Sequence, residues 1–198
     1  MNISKYNLFL LLIVLMFSGC FGNAQKIPIL EDQTKNKVNT IAVLPVDHQG
    51  ADSRTSQLLR TRISEETYFK GYSRIPLEEM DNKLATPAGD SDHEKKSFIP
   101  PQMLKNSVGA DAGMYCAMTE SHSLRLFYSP IRITVNCELR ETDKGNVIWK
   151  ATSEATKRNF DLTRKRLERK SRETYDDLID NVVEDMIKTL PDGPNLRN

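Results

Sequence analysis

Between residues 131 and 140 apolar and polar side chains change places at every step: Ile131, Ile133, Val135, Cys137 and Leu139 alternate with Arg132, Thr134, Asn136, Glu138 and Arg140. Successive strand side chains point to opposite faces, so this period of two predicts a β-strand with one face in a core and the other in water. Its neighbours are legible on both sides. Met114, Cys116 and Met118 mark an inward face for the strand before it, and Thr142-Asp143-Lys144-Gly145 makes a tight turn into Val147-Ile148-Trp149. A three-stranded antiparallel meander is expected across 112–154, with turns too short to hold another domain.

Further elements flank the meander. Ile41-Ala42-Val43-Leu44-Pro45-Val46, closed by Asp47 and Gly50, fits a strand buried on both faces of a sheet flanked by helices. Ser53 opens an expected helix to about Tyr68, carrying Leu58, Leu59, Ile63 and Glu66 on one side, and Gly71 ends it. A short strand at 71–75 is followed by a helix at 77–84, with Pro76 in its first turn. Residues 85–97 hold Pro87, Gly89 and unpatterned charge and read as a loop, after which Pro100 and Pro101 start a helix to about Ser107. Tyr175, Leu178, Ile179, Val182, Val183, Met186, Ile187 and Leu190 follow helical spacing, with Glu173, Asp176 and Asp177 expected at the dipole-positive end and Pro191 as the stop. The expected class is α/β (α+β), a single mixed sheet with helices packed on it in the order β-α-β-α-α-β-β-β-α, without internal repeats.

The N-terminus addresses the chain to the cell envelope. Lys5 precedes a ten-residue apolar run at 8–17, which closes on Ser18 and Gly19. A spanning helix needs roughly 18–20 apolar residues, so the run fits an export signal better than a permanent anchor. Phe17-Ser18-Gly19-Cys20 resembles the lipobox of bacterial lipoproteins, with Phe17 where Leu is more usual. That resemblance implies cleavage before Cys20, lipidation of its thiol, and membrane attachment through several acyl chains. Phe21, at a position where Asp would retain a lipoprotein in the inner membrane, implies an outer-membrane location facing the periplasm. The expected division is a signal peptide at 1–19, a lipidated tether at 20–37, one domain at 38–191 and a tail at 192–198. Without Lys5, 27 basic residues balance 27 acidic ones, which argues against bulk nucleic-acid binding.

Few residues suggest chemistry. A turn centred near residue 126 would set Cys116 opposite Cys137 on the inward side of adjacent strands; export favours a disulfide, directly opposed positions favour two core thiols, and both readings stay open. His48 follows Asp47 where open α/β sheets often bind ligands, yet one His and one Asp without a nucleophile fit a solvated strand end better. His122, in an expected hairpin loop, offers no more. Asp90-Ser91-Asp92-His93-Glu94 lacks the later bidentate Glu of a calcium loop and reads as charged surface. No catalytic, phosphate-binding or paired C-x-x-C motif appears. No enzyme, metal or cofactor is expected. Arg164, Lys165, Arg166, Arg169, Lys170 and Arg172 are opposed within their stretch by Glu168 alone; they fit either contact with anionic lipid or acidic glycan, or a solvated helix face.

Residues 40–190 resemble small envelope lipoproteins built on the fold of the TolB N-terminal domain and of CsgG. The carriers are Thr40-Ile41-Ala42-Val43-Leu44-Pro45-Val46, Val108-Gly109-Ala110-Asp111-Ala112, and the run from Leu139-Arg140-Glu141-Thr142-Asp143-Lys144-Gly145 through Asn146-Val147-Ile148-Trp149. The resemblance implies a non-enzymatic role as an oligomeric envelope component, or as an adaptor or activator of periplasmic machinery such as a peptidoglycan synthase. It carries over no catalytic residue. Loops 85–97 and 120–130 are too short and charged to supply the membrane strands of a secretion pore, each of about 9–11 residues.

Overall fold

The computed structural model describes residues 38–49, 53–84 and 98–196. The chain runs β1 (Thr40–Val43), β2 (Asp47–Gln49), α1 (Ser53–Phe69), β3 (Ser73–Arg74), α2 (Leu77–Leu84), α3 (Pro101–Val108), β4 (Ala112–His122), β5 (Tyr128–Glu141), β6 (Val147–Phe160) and α4 (Arg164–Ile187). All six strands form one open mixed sheet, ordered β3-β1-β4-β5-β6, with β2 laid along β4 beyond the end of β1. The short strands β1, β2 and β3 run parallel to β4, whereas β4, β5 and β6 form the antiparallel meander. The expected strand at 41–46 is broken in two. Pro45 has no N–H to give to the ladder, so the chain leaves it after Val43 and rejoins β4 at Asp47.

The alternation on β5 sorts the layers. Ile131, Ile133, Val135, Cys137 and Leu139 are all buried in one cluster with Leu59 and Ile63 of α1 and with Leu178, Ile179, Val182, Val183 and Met186 of α4. Trp149 of β6 closes this core, its indole N–H donating to Thr189 Oγ1 at 3.1 Å. On the opposite face a smaller core joins Ala42 and Leu44 to Met80 of α2 and Leu104 of α3. Gly113 lets α3 come close, since a Cβ there would stand 2.5 Å from Leu104 Cδ1. This second cover lies over β1 and the start of β4; the outward sides of β5 and β6 have no helix among the described residues.

Register follows the turn at 123–127: Cys116 pairs with Cys137 and Glu120 with Ile133. Cys116 and Cys137 are joined by a disulfide. His122 is the last residue of β4 rather than part of the loop, and β6 runs six residues past 154. The last helix departs most from expectation. It begins at Arg164, so its first turn holds no acidic residue and Glu173, Asp176 and Asp177 lie inside it. The added turns face inward through Leu167, Ser171 and Thr174, mostly small polar residues to which a search for apolar spacing is blind.

Residues 192–196 are stitched to the domain. Gly193 N–H donates to Lys70 O at 2.7 Å and Asn195 N–H to Gly71 O at 3.0 Å, while Asn195 Nδ2 donates to Asn39 Oδ1 at 2.8 Å. A Cβ on Gly193 would fall 2.6 Å from the Gly71 carbonyl carbon. Gly193→Ala should therefore cost about 1–3 kcal/mol, the usual range for overpacking a tight contact, seen as a lower urea midpoint with an unchanged slope. For the disulfide, urea-unfolded chain 21–198 should take up no maleimide tag before reduction and two tags after it.

Candidate functional site

Where the cover of α2 and α3 stops, a groove of about 440 Å³ opens onto the bare sheet, within the roughly 300–1,000 Å³ typical of ligand sites. Its apolar side is Leu44 and Pro45, from the jog between β1 and β2, with Phe98 and Ile99 ahead of α3. Phe98, 63% exposed, stacks on Tyr115 with ring centroids 5.2 Å apart. Tyr115 O–H donates to Ile99 O at 2.7 Å, and burial pushes its pKa up to about 12.

The polar side is the outward row of β5, Asn136, Glu138 and Arg140, which is tied to β6 behind it. Glu138 accepts from Lys150 Nζ at 2.8 Å and from Arg140 at 2.6 Å. These two hydrogen bonds, that from Lys150 the larger, hold its carboxyl below the ordinary range. One register step on, Thr152 Oγ1 donates to Asn136 Oδ1 at 2.7 Å, and Asp47 adds an exposed carboxylate at the groove wall. Opposite an apolar wall stands a ladder whose charges largely balance. Such a surface suits an occupant with one apolar and one hydrogen-bonding side. Asn136, Glu138 and Arg140 are engaged in these hydrogen bonds, and among the described residues none is placed as a base beside a nucleophile.

The residues singled out from sequence do not gather here. Asp47 pairs with Ala117, which lines the groove, while its neighbour His48 pairs with buried Met118. Asp47 and His48 thus point to opposite faces and cannot act together. His122 Nε2 stands 2.9 Å from Ser129 Oγ, which lies 2.8 Å from Ser171 Oγ. Ser129 is fully buried, so this chain of hydrogen bonds fastens α4 to the hairpin and presents no accessible nucleophile. Cys20 and the 90–94 cluster lie outside the described residues. No group of three or more metal-ligating side chains occurs among the described residues.

The basic stretch forms the first turns of α4, away from the groove. Half of its six charges are engaged locally: Arg164 with Glu168 at 3.0 Å, Arg169 with Glu173 at 3.8 Å and Lys170 with Asp161 at 3.0 Å. Lys165, Arg166 and Arg172 are exposed and form no ion pair within 4.0 Å among the described residues. Sequence reasoning missed the groove, because Glu138, Arg140 and Asn136 announce only an outward face, and nothing in their spacing says where the helical cover ends.

Glu138 gives the groove a pH signature. Its carboxyl titrates lower in the folded chain than in the unfolded one, so its contribution to stability is present above the ordinary value near 4.5 and is lost as pH falls through the folded value. Glu138→Gln removes that contribution. Wild-type and variant urea midpoints should differ by a constant amount above about pH 5 and converge below it.

No family model matches the chain, and no curated protein matches it. Solved structures do match. Lipoprotein GNA1162 from Neisseria meningitidis is 15% identical at a TM-score of 0.51, covering 70% of this chain and 96% of that one. The PelC dodecamer from Paraburkholderia phytofirmans is 13% identical at a TM-score of 0.47, covering 81% and 89%. A minor lipoprotein from Acinetobacter baumannii is 12% identical at 0.45, covering 78% and 91%. At such identity the likeness to the meningococcal protein is one of fold: the domain of this chain is built as that bacterial lipoprotein is.

Proposed function

We propose that this chain is a lipid-anchored, non-enzymatic protein of the bacterial envelope, working as an oligomeric component or as an adaptor or activator of periplasmic machinery. The observation that carries the reading is the outer edge of β6. This strand of fourteen residues is paired on one side, to β5, and no further strand follows it in the sheet among the described residues. Its outward N–H and C=O groups form a row to which a second chain can add a strand. The helix-free outward side of β5 and β6 adjoins that edge and widens the surface.

Further observations support it. Ser18-Gly19-Cys20 and the likeness in fold to a meningococcal lipoprotein favour anchoring at Cys20, and Phe21 favours the outer membrane facing the periplasm. The motif resemblance to the TolB and CsgG group favours assembly over catalysis. So does the separation of Asp47 from His48 and the burial of Ser129 beside His122.

Two measurements test the proposal. Sedimentation of chain 21–198 should give a mass several times that of the monomer, with β6 amides gaining protection from hydrogen exchange as the assembly forms. In cells, crosslinking of the full chain beside Cys20→Ala should capture the chain itself or an envelope protein with the lipidated form. A monomer at every concentration that captures nothing in cells overturns the reading.

A further inference from the structure

The end of the domain formed by the β4–β5 hairpin and the start of α4 is amphiphilic. Leu126 and Phe127 in the hairpin are 76% and 50% exposed, and Phe160 and Leu162, between β6 and α4, are 62% and 86% exposed. The two segments are held together: Asp161 N–H donates to Phe127 O at 3.2 Å, and the Tyr128 and Phe160 rings stand 4.8 Å apart. Four large apolar side chains therefore project from one compact tip. A folded chain rarely exposes such a cluster without a use.

Charge is segregated around the same tip. Segments 123–128 and 158–174 carry eight basic against three acidic side chains, in a chain whose net charge is +1. Asp161, the acid nearest the apolar residues, is only 11% exposed and is held by Lys170. Arg125, Arg158, Lys165, Arg166 and Arg172 are exposed and form no ion pair within 4.0 Å among the described residues. Projecting Leu and Phe side chains with exposed cations beside them match a bilayer surface, which offers hydrocarbon at its boundary and negative headgroups around it. A soluble polyanion or an acidic glycan would satisfy the cations and leave the apolar residues in water.

We infer that this tip docks the domain onto an anionic phospholipid bilayer, with Leu126, Phe127, Phe160 and Leu162 entering the headgroup boundary and Arg125, Lys165, Arg166 and Arg172 contacting the lipid phosphates. A lipid on a tether sets how far the domain can travel from a membrane. A docking tip also sets which way the domain faces, and so where the β6 edge is presented. The inference uses no β6 edge contact and stands or falls apart from the assembly reading.

Chain 21–198, which has no acyl group, tests it by cosedimentation with vesicles of phosphatidylcholine alone or with roughly one-third phosphatidylglycerol. The chain should pellet with the anionic vesicles, release as salt rises from about 0.05 to 0.5 M, and bind neutral vesicles at least about tenfold more weakly. Leu126→Ser with Leu162→Ser should weaken binding about tenfold or more. Changing Arg125, Lys165, Arg166 and Arg172 to Gln should weaken it several hundredfold, near fivefold for each charge. Leu162→Trp should shift its emission to the blue on anionic vesicles. The native Trp149, buried in the core, reports folding in every other variant. The four-Gln variant should unfold at no lower urea than wild type, because Lys165 and Arg166 stand in the first turn of α4, where the helix dipole opposes them, and Arg125 and Arg172 are exposed. Equal binding to both vesicles, undiminished binding by either folded variant, or binding to dextran sulfate but to neither vesicle overturns the inference.

Discussion

Ile131, Ile133, Val135 and Leu139 lie in a row on one side of β5, each contributing roughly 1.5–3 kcal/mol by leaving water for the core under α1 and α4. The rest of the structure depends on that row keeping its face. A slip of one residue in the pairing of β4 with β5 would turn all four outward and Arg132, Thr134, Asn136 and Glu138 inward. The disulfide makes the same register covalent, since it joins positions that pair directly. By restricting the unfolded chain across a separation of 21 residues, it adds on the order of 3 kcal/mol in the chain-entropy account. Hydrophobic and covalent constraints thus agree on one register.

That fixed register also defines what remains uncovered. Helices α2 and α3 reach only the parallel half of the second face, and one side chain ties their layer to the other. Arg60 of α1, almost fully buried, donates from Nε to Val43 O at 3.0 Å and grips both oxygens of Asp81 on α2 at 2.7 and 2.8 Å. A guanidinium holding a carboxylate at two points fixes angle as well as distance. The clamp sits at the end of β1, next to Leu44, so it helps to set the apolar wall of the groove. The groove is therefore the boundary between two kinds of sheet, a parallel part covered on both sides and an antiparallel part covered on one.

How much of this was legible depended on whether the signal lay in one strand's own pattern or in a partner's. The meander, its register and the helix at 77–84 were readable, because periodicity and turn residues are local. The break at Pro45 was written in the sequence, but the apolar run around it read as continuous. The first turns of α4 escaped because Ser171 and Thr174 face inward by bonding to Leu167 O, Lys170 O and Asn159 Oδ1, which apolar spacing cannot register. The close approach of Gly193 to Gly71 joins residues far apart in the chain and had no local trace. The site was least legible, because a groove is made by where a helix stops.

The basic start of α4 shows why composition alone misleads about surfaces. Net charge near neutrality argued against bulk nucleic-acid binding, yet charge is an average and a surface is local. On α4 the pairs Lys165 and Arg169, and Arg166 and Lys170, lie four residues apart, where like charges repel, and the first turn has no acid to offset the dipole. Both terms oppose the helix in isolation. Beside an anionic bilayer both are relieved, since negative headgroups screen the repulsion and lie at the dipole-positive end. The same residues that weaken the free helix would strengthen the docked one, and Leu126 and Leu162 decide which anionic surface qualifies, because only one with hydrocarbon behind its charge removes them from water.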